Sequence, residues 1–249
     1  MAADKPREVL IVPDEQSLAE TAAERLLTRI AQANDRAAVC LTGGSTPQHL
    51  YRLLASEPYR CELPWGRVHW FMGDDRFVPP GHVLHNTGMA RRSFLDHVPA
   101  PAANIHPIPT DASSPDAAAR LYEAELKAFY GSDRLGAARP LFDLVLMGVG
   151  DDGHTASLFP HSAALDEKER WVVGIDNAGH EPFVSRITLT FAALASTREM
   201  LFLVSGHGKR DILRRVFSGE DLPANRARSD GELVWLVDRA AAPEHPDAG

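Results

Sequence analysis

The sequence predicts an α/β protein: an open, mostly parallel, Rossmann-like sheet covered by helices on both faces, with a small additional α/β subregion. Three observations predict it. Short apolar runs of strand type alternate with stretches of helical periodicity along nearly the whole chain. Several apolar runs end in glycine-bearing turns that lead into a helix start, as strand-to-helix connections require. The 249 residues with 44% hydrophobic content suffice for a sizeable core, and no internal repeat divides them. A single domain over 1–249 is therefore expected, with 9–237 as the ordered core and 238–249 as a flexible tail ending "AAPEHPDAG".

Strands are expected near 9–12, 37–42, 67–72, 141–147, 171–176, 185–190, 199–204 and 233–237. The clearest helix spans 15–33, where Leu18, Ala22, Leu26 and Ile30 fall on one face. Further helices are expected at 47–56, 87–96, 116–130 and 208–217. The stretches "VPAPAANIHPIPT" (98–110) and "GSDRLGAARP" (131–140) read as connections, because their prolines and glycines sustain neither helix nor strand ladders.

Bulk properties narrow the function classes. The net charge is −8, from 34 acidic and 26 basic residues, which argues against nucleic acid or an anionic membrane as main partner. No basic and apolar leader opens the chain, and no apolar run approaches the roughly 18 residues of a membrane span. A soluble cytoplasmic protein, acting as a monomer on a small molecule, is the expectation. Cys40 and Cys61 are too few for a disulfide framework and lie in no zinc pattern.

In an open parallel sheet the chemistry belongs in the loops at the carboxyl ends of the strands. Four loops qualify. In "LTGGSTPQHLYRLL" (41–54), Gly43 and Gly44 allow a tight turn, Thr46 can cap, and Pro47 suits the first helical position, so the free N–H groups of Gly43, Gly44, Ser45 and Thr46 offer an anion site. It is also an ordinary strand-to-helix turn by composition. No Lys-Ser/Thr pair makes it a Walker loop, and Pro47 breaks the G-x-S-x-G elbow.

In "GDDRFVP" (73–79), followed by "HNTGMARR" (85–92), Arg76 held by neighbouring carboxylates can bind a phosphate or steady an oxyanion. Asp74, Asp75 and Arg76 read equally as a surface ion-pair cluster, Arg91 and Arg92 as a solvated face, and His82 and His85 as loop histidines without a third ligand. The loop "MGVGDDGHTASLFP" (147–160) has the glycine spacing of a dinucleotide site. Pro160 cuts its helix short, however, and Asp151 and Asp152 would repel a pyrophosphate; Asp176 at the ribose position does not rescue that reading. Instead the turn presents His154 for general-base work, with Asp151 or Asp152 orienting its ring. A lone histidine among 11 is more often structural; its place beside Asp-Asp-Gly at a strand end tells otherwise. Finally, "LFLVSGHGKRDIL" (201–213) brings Lys209 to a helix start, and Arg186 opens the strand "RITLT".

Taken in order, "LTGGSTP", "GDDRFVP…HNTGMARR", "MGVGDDGHTASLFP", "RITLT" and "SGHGK" resemble the 6-phosphogluconolactonase family over about residues 9–237. The family is related to glucosamine-6-phosphate deaminase/isomerase, whose similar segment continues Asn-Glu-Pro where this chain has Leu158-Phe159-Pro160. Phenylalanine in place of the acid favours the lactonase branch. The family's usual Asp-Glu-Arg is Asp74-Asp75-Arg76 here, one methylene shorter at Asp75.

The resemblance implies hydrolysis of 6-phospho-D-glucono-1,5-lactone, the second step of the oxidative pentose phosphate pathway, without cofactor or metal. It implies His154 as base, Asp152 as its orienting partner, and Arg76 with loop N–H groups on the developing oxyanion. It also implies a substrate and phosphate site from Gly43, Gly44, Ser45, Thr46, Asp75, Asn86, Arg186 and Lys209. The rivals are a deaminase or isomerase on the same fold, and a non-catalytic phosphosugar sensor. The chain has no basic stretch or spare length for a DNA-binding segment.

Overall fold

The computed structural model describes residues 7–136 and 139–244. Its strands and helices alternate as β1 Glu8–Val12, α1 Glu15–Gln32, β2 Ala37–Leu41, α2 Ser45–Leu54, α3 Tyr59–Glu62, β3 Val68–Met72, β4 Asp74–Arg76 and α4 Asn86–Ala90, which runs on as a π-helical turn over Arg91–Leu95. Then come β5 Ile105–His106, α5 Pro115–Tyr130, β6 Leu144–Met147, β7 Val172–Ile175, β8 Arg186–Leu189, α6 Phe191–Ala195, β9 Glu199–Val204, α7 Arg210–Phe217, α8 Pro223–Arg226 and β10 Glu232–Asp238.

Seven strands form one sheet in the order β1-β10-β9-β6-β2-β3-β5, and every pairing in it is parallel. All residues of β2, β6 and β9 are buried, so both faces of the sheet centre are covered, and such strands read as continuous apolar runs rather than alternating ones. Helix α1 lays Leu18, Ala19, Ala22, Ala23, Leu26 and Ile30 against the core, capped by Asp14, whose carboxylate accepts the Ser17 N–H at 2.8 Å. From its outer face Arg25 and Arg29 both reach the buried carboxylate of Glu199 at the start of β9. Helix α5 begins with Ser114 as cap and Pro115, and ends at Gly131, whose positive φ of 77° closes the last turn.

Going from β2, the chain adds β3 and β5 on one side, then crosses back to lay β6 and β9 on the other. Between β2 and β6 the direction of winding therefore reverses, and the connections after these two strands diverge over a crevice. Where they part, the backbone loses ladder partners, and two buried tyrosines replace them. Tyr51 of α2 accepts the Thr42 N–H at 3.0 Å and donates to the Thr42 carbonyl at 2.8 Å. Tyr122 of α5 does the same for Met72 at 2.9 and 3.0 Å.

Four expectations change. The "DDR" segment is not a loop but β4, which with β8 and β7 makes a separate three-stranded antiparallel sheet beside the main one. Its three polar residues show no apolar signature because carboxylate hydrogen bonds, not side-chain burial in hydrocarbon, fix them. Helix α2 starts at Ser45 with Gly44 as its cap, so Thr46 does not cap it and Pro47 is its third residue rather than its first. The chain stays packed past 238: Asp238 closes β10 and Ala241 is fully buried, while 245–249 lie outside the described residues. Among the described residues no helix is long and apolar enough to cross a membrane.

Replacing Tyr51 by Phe strands the buried N–H and C=O of Thr42. Urea unfolding should show a loss of about 1–3 kcal/mol; a loss under about 0.5 kcal/mol, the usual surface value, would mean that water substitutes for the hydroxyl.

Candidate active site

The parallel register brings the ends of four strands to one edge, with Thr42, Gly73, Gly148 and Ser205 each following the last residue of β2, β3, β6 and β9. Over that edge lies a cleft of about 210 Å³. Its wall includes the 42–47 loop, Asp74, Arg76, Asn86, Gly148–Gly150, His154, Ser205 and Lys209. The sequence-predicted loops thus converge on one cleft, but Arg186, Asp75 and Asp152 are not part of its wall.

The loop after β6 is built around His154. Gly150 accepts no side chain, because a Cβ there would overlap the His154 ring, and Gly153 turns the chain back with φ of 84°. The Gly150 N–H donates to the His154 carbonyl at 2.9 Å, closing a tight turn. Asp152 then accepts both the backbone N–H of His154 at 3.0 Å and its ring Nδ1–H at 2.6 Å. Burial pulls the Asp152 carboxyl up, but these bonds and the nearby His154 and His180 charges outweigh it and hold the group down to about 2. The orienting acid is thus Asp152. Asp151 points elsewhere, pairing with Lys209 Nζ at 2.6 Å. With Nδ1 engaged, His154 keeps Nε2 for the cleft.

Phe159 packs against the His154 ring at 4.6 Å between centroids. His180, from the β7–β8 connection, completes the group: 5.0 Å from His154, 5.5 Å from Phe159, and with Nε2 3.9 Å from Asp152 Oδ2. Nothing in "NAGHEPFVS" marks His180 as special. Only the fold, which lays this connection over the Asp152 turn, reveals it.

Arg76 is held before any ligand arrives. Its Nη1 donates to Asn86 Oδ1 at 2.6 Å and to the Leu84 carbonyl at 3.0 Å. Asn86 sits so close to the 42–47 loop that any side chain at Gly43 would overlap it. Beneath them the buried Asp75 accepts the N–H groups of Arg76, Asn86 and Thr87 at 2.8, 2.7 and 2.9 Å, and the Thr87 hydroxyl at 2.9 Å. Burial pushes the Asp75 carboxyl up; the facing His85 and the Thr87 and Asn86 N–H groups oppose it. Asp75 is therefore a scaffold for β4 and the start of α4, not a wall residue. His85 is also structural, capping Gly88 and lying 3.3 Å from Asp75. Asp74 accepts the Ser157 hydroxyl at 2.6 Å, tying β4 to the His154 loop.

Arg186 faces Arg76 in register across β4 and β8, and is only 2% exposed. Burial and the Arg76 charge pull its guanidinium down. Nη2 donates to the Pro182 carbonyl at 2.9 Å, while Nε and Nη1 have no partner. It lies next to Arg76 on the adjacent strand and is not part of the cleft wall. The N-terminal turn of α2, by contrast, carries no side-chain cap, so its N–H groups and positive dipole end face the cleft with Lys209.

The family model "Glucosamine-6-phosphate isomerases/6-phosphogluconolactonase" matches residues 13–235. A 6-phosphogluconolactonase of Nostoc sp. is 39% identical over 243 residues, covering 95% of this chain and 97% of the relative. The solved 6-phosphogluconolactonase of Thermotoga maritima superposes with a TM-score of 0.80 at 29% identity, over 94% of this chain and 100% of that one. A monomeric glucosamine-6-phosphate deaminase shares the fold alone, with a TM-score of 0.78 at 20% identity over 94% and 98%. The chain belongs to the glucosamine-6-phosphate isomerase/6-phosphogluconolactonase family.

Proposed function

We propose that the chain hydrolyses 6-phospho-D-glucono-1,5-lactone to 6-phosphogluconate, as a cytoplasmic monomer whose site is complete within one chain. The observation that carries this reading is His154, its ring held by Asp152 at 2.6 Å, on the wall of a cleft that also carries a guanidinium, an ammonium and an uncapped helix start. A δ-lactone is an activated ester, so a positioned base suffices and no covalent nucleophile is needed.

His154 Nε2 takes a proton from water as the oxygen attacks the lactone carbonyl. Asp152, ionised, holds the Nδ1–H tautomer and stabilises the imidazolium that forms. Arg76, fixed by Asn86 and Leu84, meets the negative charge growing on the carbonyl oxygen. As the ring C–O bond breaks, the imidazolium returns its proton to the departing oxygen. At the far end the phosphate lies on the Gly43–Thr46 turn and Lys209. Arg186 and Asp75 act indirectly, by setting the position of Arg76.

Phe159 occupies the place where the deaminase branch carries a carboxylate, which favours lactone hydrolysis over ring opening and deamination. Proton release from fresh lactone against ammonia release from glucosamine 6-phosphate tests the choice; ammonia without proton release would reverse it.

Three outcomes follow from the roles. His154→Ala should lower kcat by about 10²–10⁴-fold with little change in KM, after subtraction of spontaneous hydrolysis; near-normal turnover removes His154 as base. Because the Asp152 carboxyl sits at about 2, below its ordinary 3.8, it is ionised wherever the imidazole titrates. The acid limb of kcat/KM should therefore report one proton, and the stability that Asp152 confers should be full above about pH 4 and lost as pH falls toward 2. Asp152→Asn should cost about 10- to 1,000-fold in kcat, and a two-proton acid limb in the parent would contradict the pairing. Lys209→Ala should raise KM for the phosphorylated lactone and spare the unphosphorylated one, whereas Arg186→Ala should impair both; the reverse pattern would exchange their roles.

A further inference from the structure

The group around His154 has a feature that lactone hydrolysis does not use. His180 Nδ1 lies 2.7 Å from the Glu181 carbonyl, and since a carbonyl only accepts, Nδ1 carries the hydrogen. In the neutral ring Nε2 is then a bare lone pair, and it faces Asp152 Oδ2 at 3.9 Å. A proton on Nε2 or a metal cation between the two satisfies both. An imidazole that donates one ring nitrogen to a backbone carbonyl and presents the other is also the usual arrangement of a metal-ligating histidine.

Asp152, His154 and His180 each bring a donor atom within 4.8 Å of the other two. We propose that these three side chains form a binding site for a zinc-class divalent cation, and that its occupation blocks hydrolysis. Two imidazoles and one carboxylate suit zinc and its neighbours, whereas magnesium and calcium prefer oxygen ligands throughout. Three protein ligands leave a fourth position for water. The donors are accessible, with side-chain exposures of 21% for His154, 31% for Asp152 and 38% for His180. Phe159, 5% exposed and packed on both rings, closes the opposite side with hydrocarbon.

The cation takes the place of the hydrogen that His154 and Asp152 share. For bonds near 2.1 Å the ligand atoms must stand about 3.4 Å apart, so the 2.6 Å contact between His154 Nδ1 and Asp152 Oδ1 opens, while the three donors already lie within 4.8 Å of one another. Once Nδ1 holds the metal, the ring hydrogen moves to Nε2. That nitrogen then donates and no longer accepts, so the base is lost without any net proton uptake. The hydrolysis itself asks for no metal, and the cation competes with it.

The inhibitory half of this inference rests on the function proposed above; the binding half does not. The test uses the untagged full chain, freed of metal with a chelator, and titrates it with Zn²⁺ by calorimetry and with Co²⁺ by visible absorption. One equivalent should bind, Co²⁺ should give a four-coordinate spectrum, and Zn²⁺ should abolish turnover reversibly on adding chelator, with Mg²⁺ inert. His180→Ala should weaken Zn²⁺ binding by about tenfold or more, and keep the metal-free turnover of the parent. Absence of one-equivalent binding, or equal Zn²⁺ affinity in His180→Ala, overturns the site. Binding that His180→Ala weakens but that leaves turnover intact overturns the blockade. Binding of that kind in a protein with no lactone turnover even when metal-free keeps the site and overturns the function.

Discussion

The reversal of winding between β2 and β6 is the constraint on which the rest depends. With all pairings parallel, the strands deliver their carboxyl ends to a single edge, and the reversal opens that edge exactly once, between neighbours that belong to opposite halves of the sheet. The 42–47 loop leaves toward one side and the 148–154 loop toward the other. Had the order been sequential, a helix start and a histidine turn separated by over 100 residues of chain would not face each other. The cost is a set of strand-end backbone groups without ladder partners, which Tyr51 and Tyr122 satisfy from helices on the sheet.

The second consequence is electrostatic. A chain of net charge −8 gathers Arg76, Arg186, Lys209 and a helix N-terminus at one place. Two guanidiniums in register on adjacent strands repel, and burial of Arg186 raises that penalty. Asp74 and Asp75 beneath them supply the compensating charge, and they are themselves tied to Ser157, Asn86 and Thr87. The three-stranded sheet is therefore a charge frame: its short ladder fixes acids and bases whose spacing no apolar contact sets. An arriving anion meets a potential already assembled, with little reorganisation left to do.

That distinction explains what was legible in the sequence. The strands β2 and β6 stand out because they are apolar throughout, β3 and β9 because they are apolar but for His69 and Glu199, and α1 because its buried residues recur at helical spacing. His154 is legible because glycine, aspartate and histidine at a strand end make a physical case together. β4 is not, since Asp-Asp-Arg reads as a solvated loop until its partner strand is known. The choice between Asp151 and Asp152 turns on which carboxylate the Gly153 turn swings under the ring, a matter of φ rather than of composition. Arg186 misleads in the other direction. An arginine opening an apolar strand beside a family motif invites a direct contact, yet it lies buried next to Arg76 on the neighbouring strand and outside the cleft wall. His180, and Asp238, which accepts the Ser205 hydroxyl at 2.6 Å, are not legible either, since long-range packing alone gives each its neighbours.

The two cations of the cleft wall differ in how they are held, and the difference matches the roles proposed for them at the two ends of the substrate. Arg76 is gripped by a side-chain amide and a carbonyl, over a carboxylate that also holds its own N–H. Its position is settled before the reaction, which is what a group facing a transient oxyanion requires, because any late adjustment adds to the barrier. The Lys209 ammonium pairs with Asp151, whose side chain is 83% exposed. An ion pair that open to water contributes little, so a dianionic phosphate can draw the ammonium away at small cost. The reacting end is thus built rigid and the anchoring end adjustable. A site arranged the other way, with a fixed phosphate clamp and a loose oxyanion donor, would bind the open product as tightly as the lactone and gain nothing in the transition state.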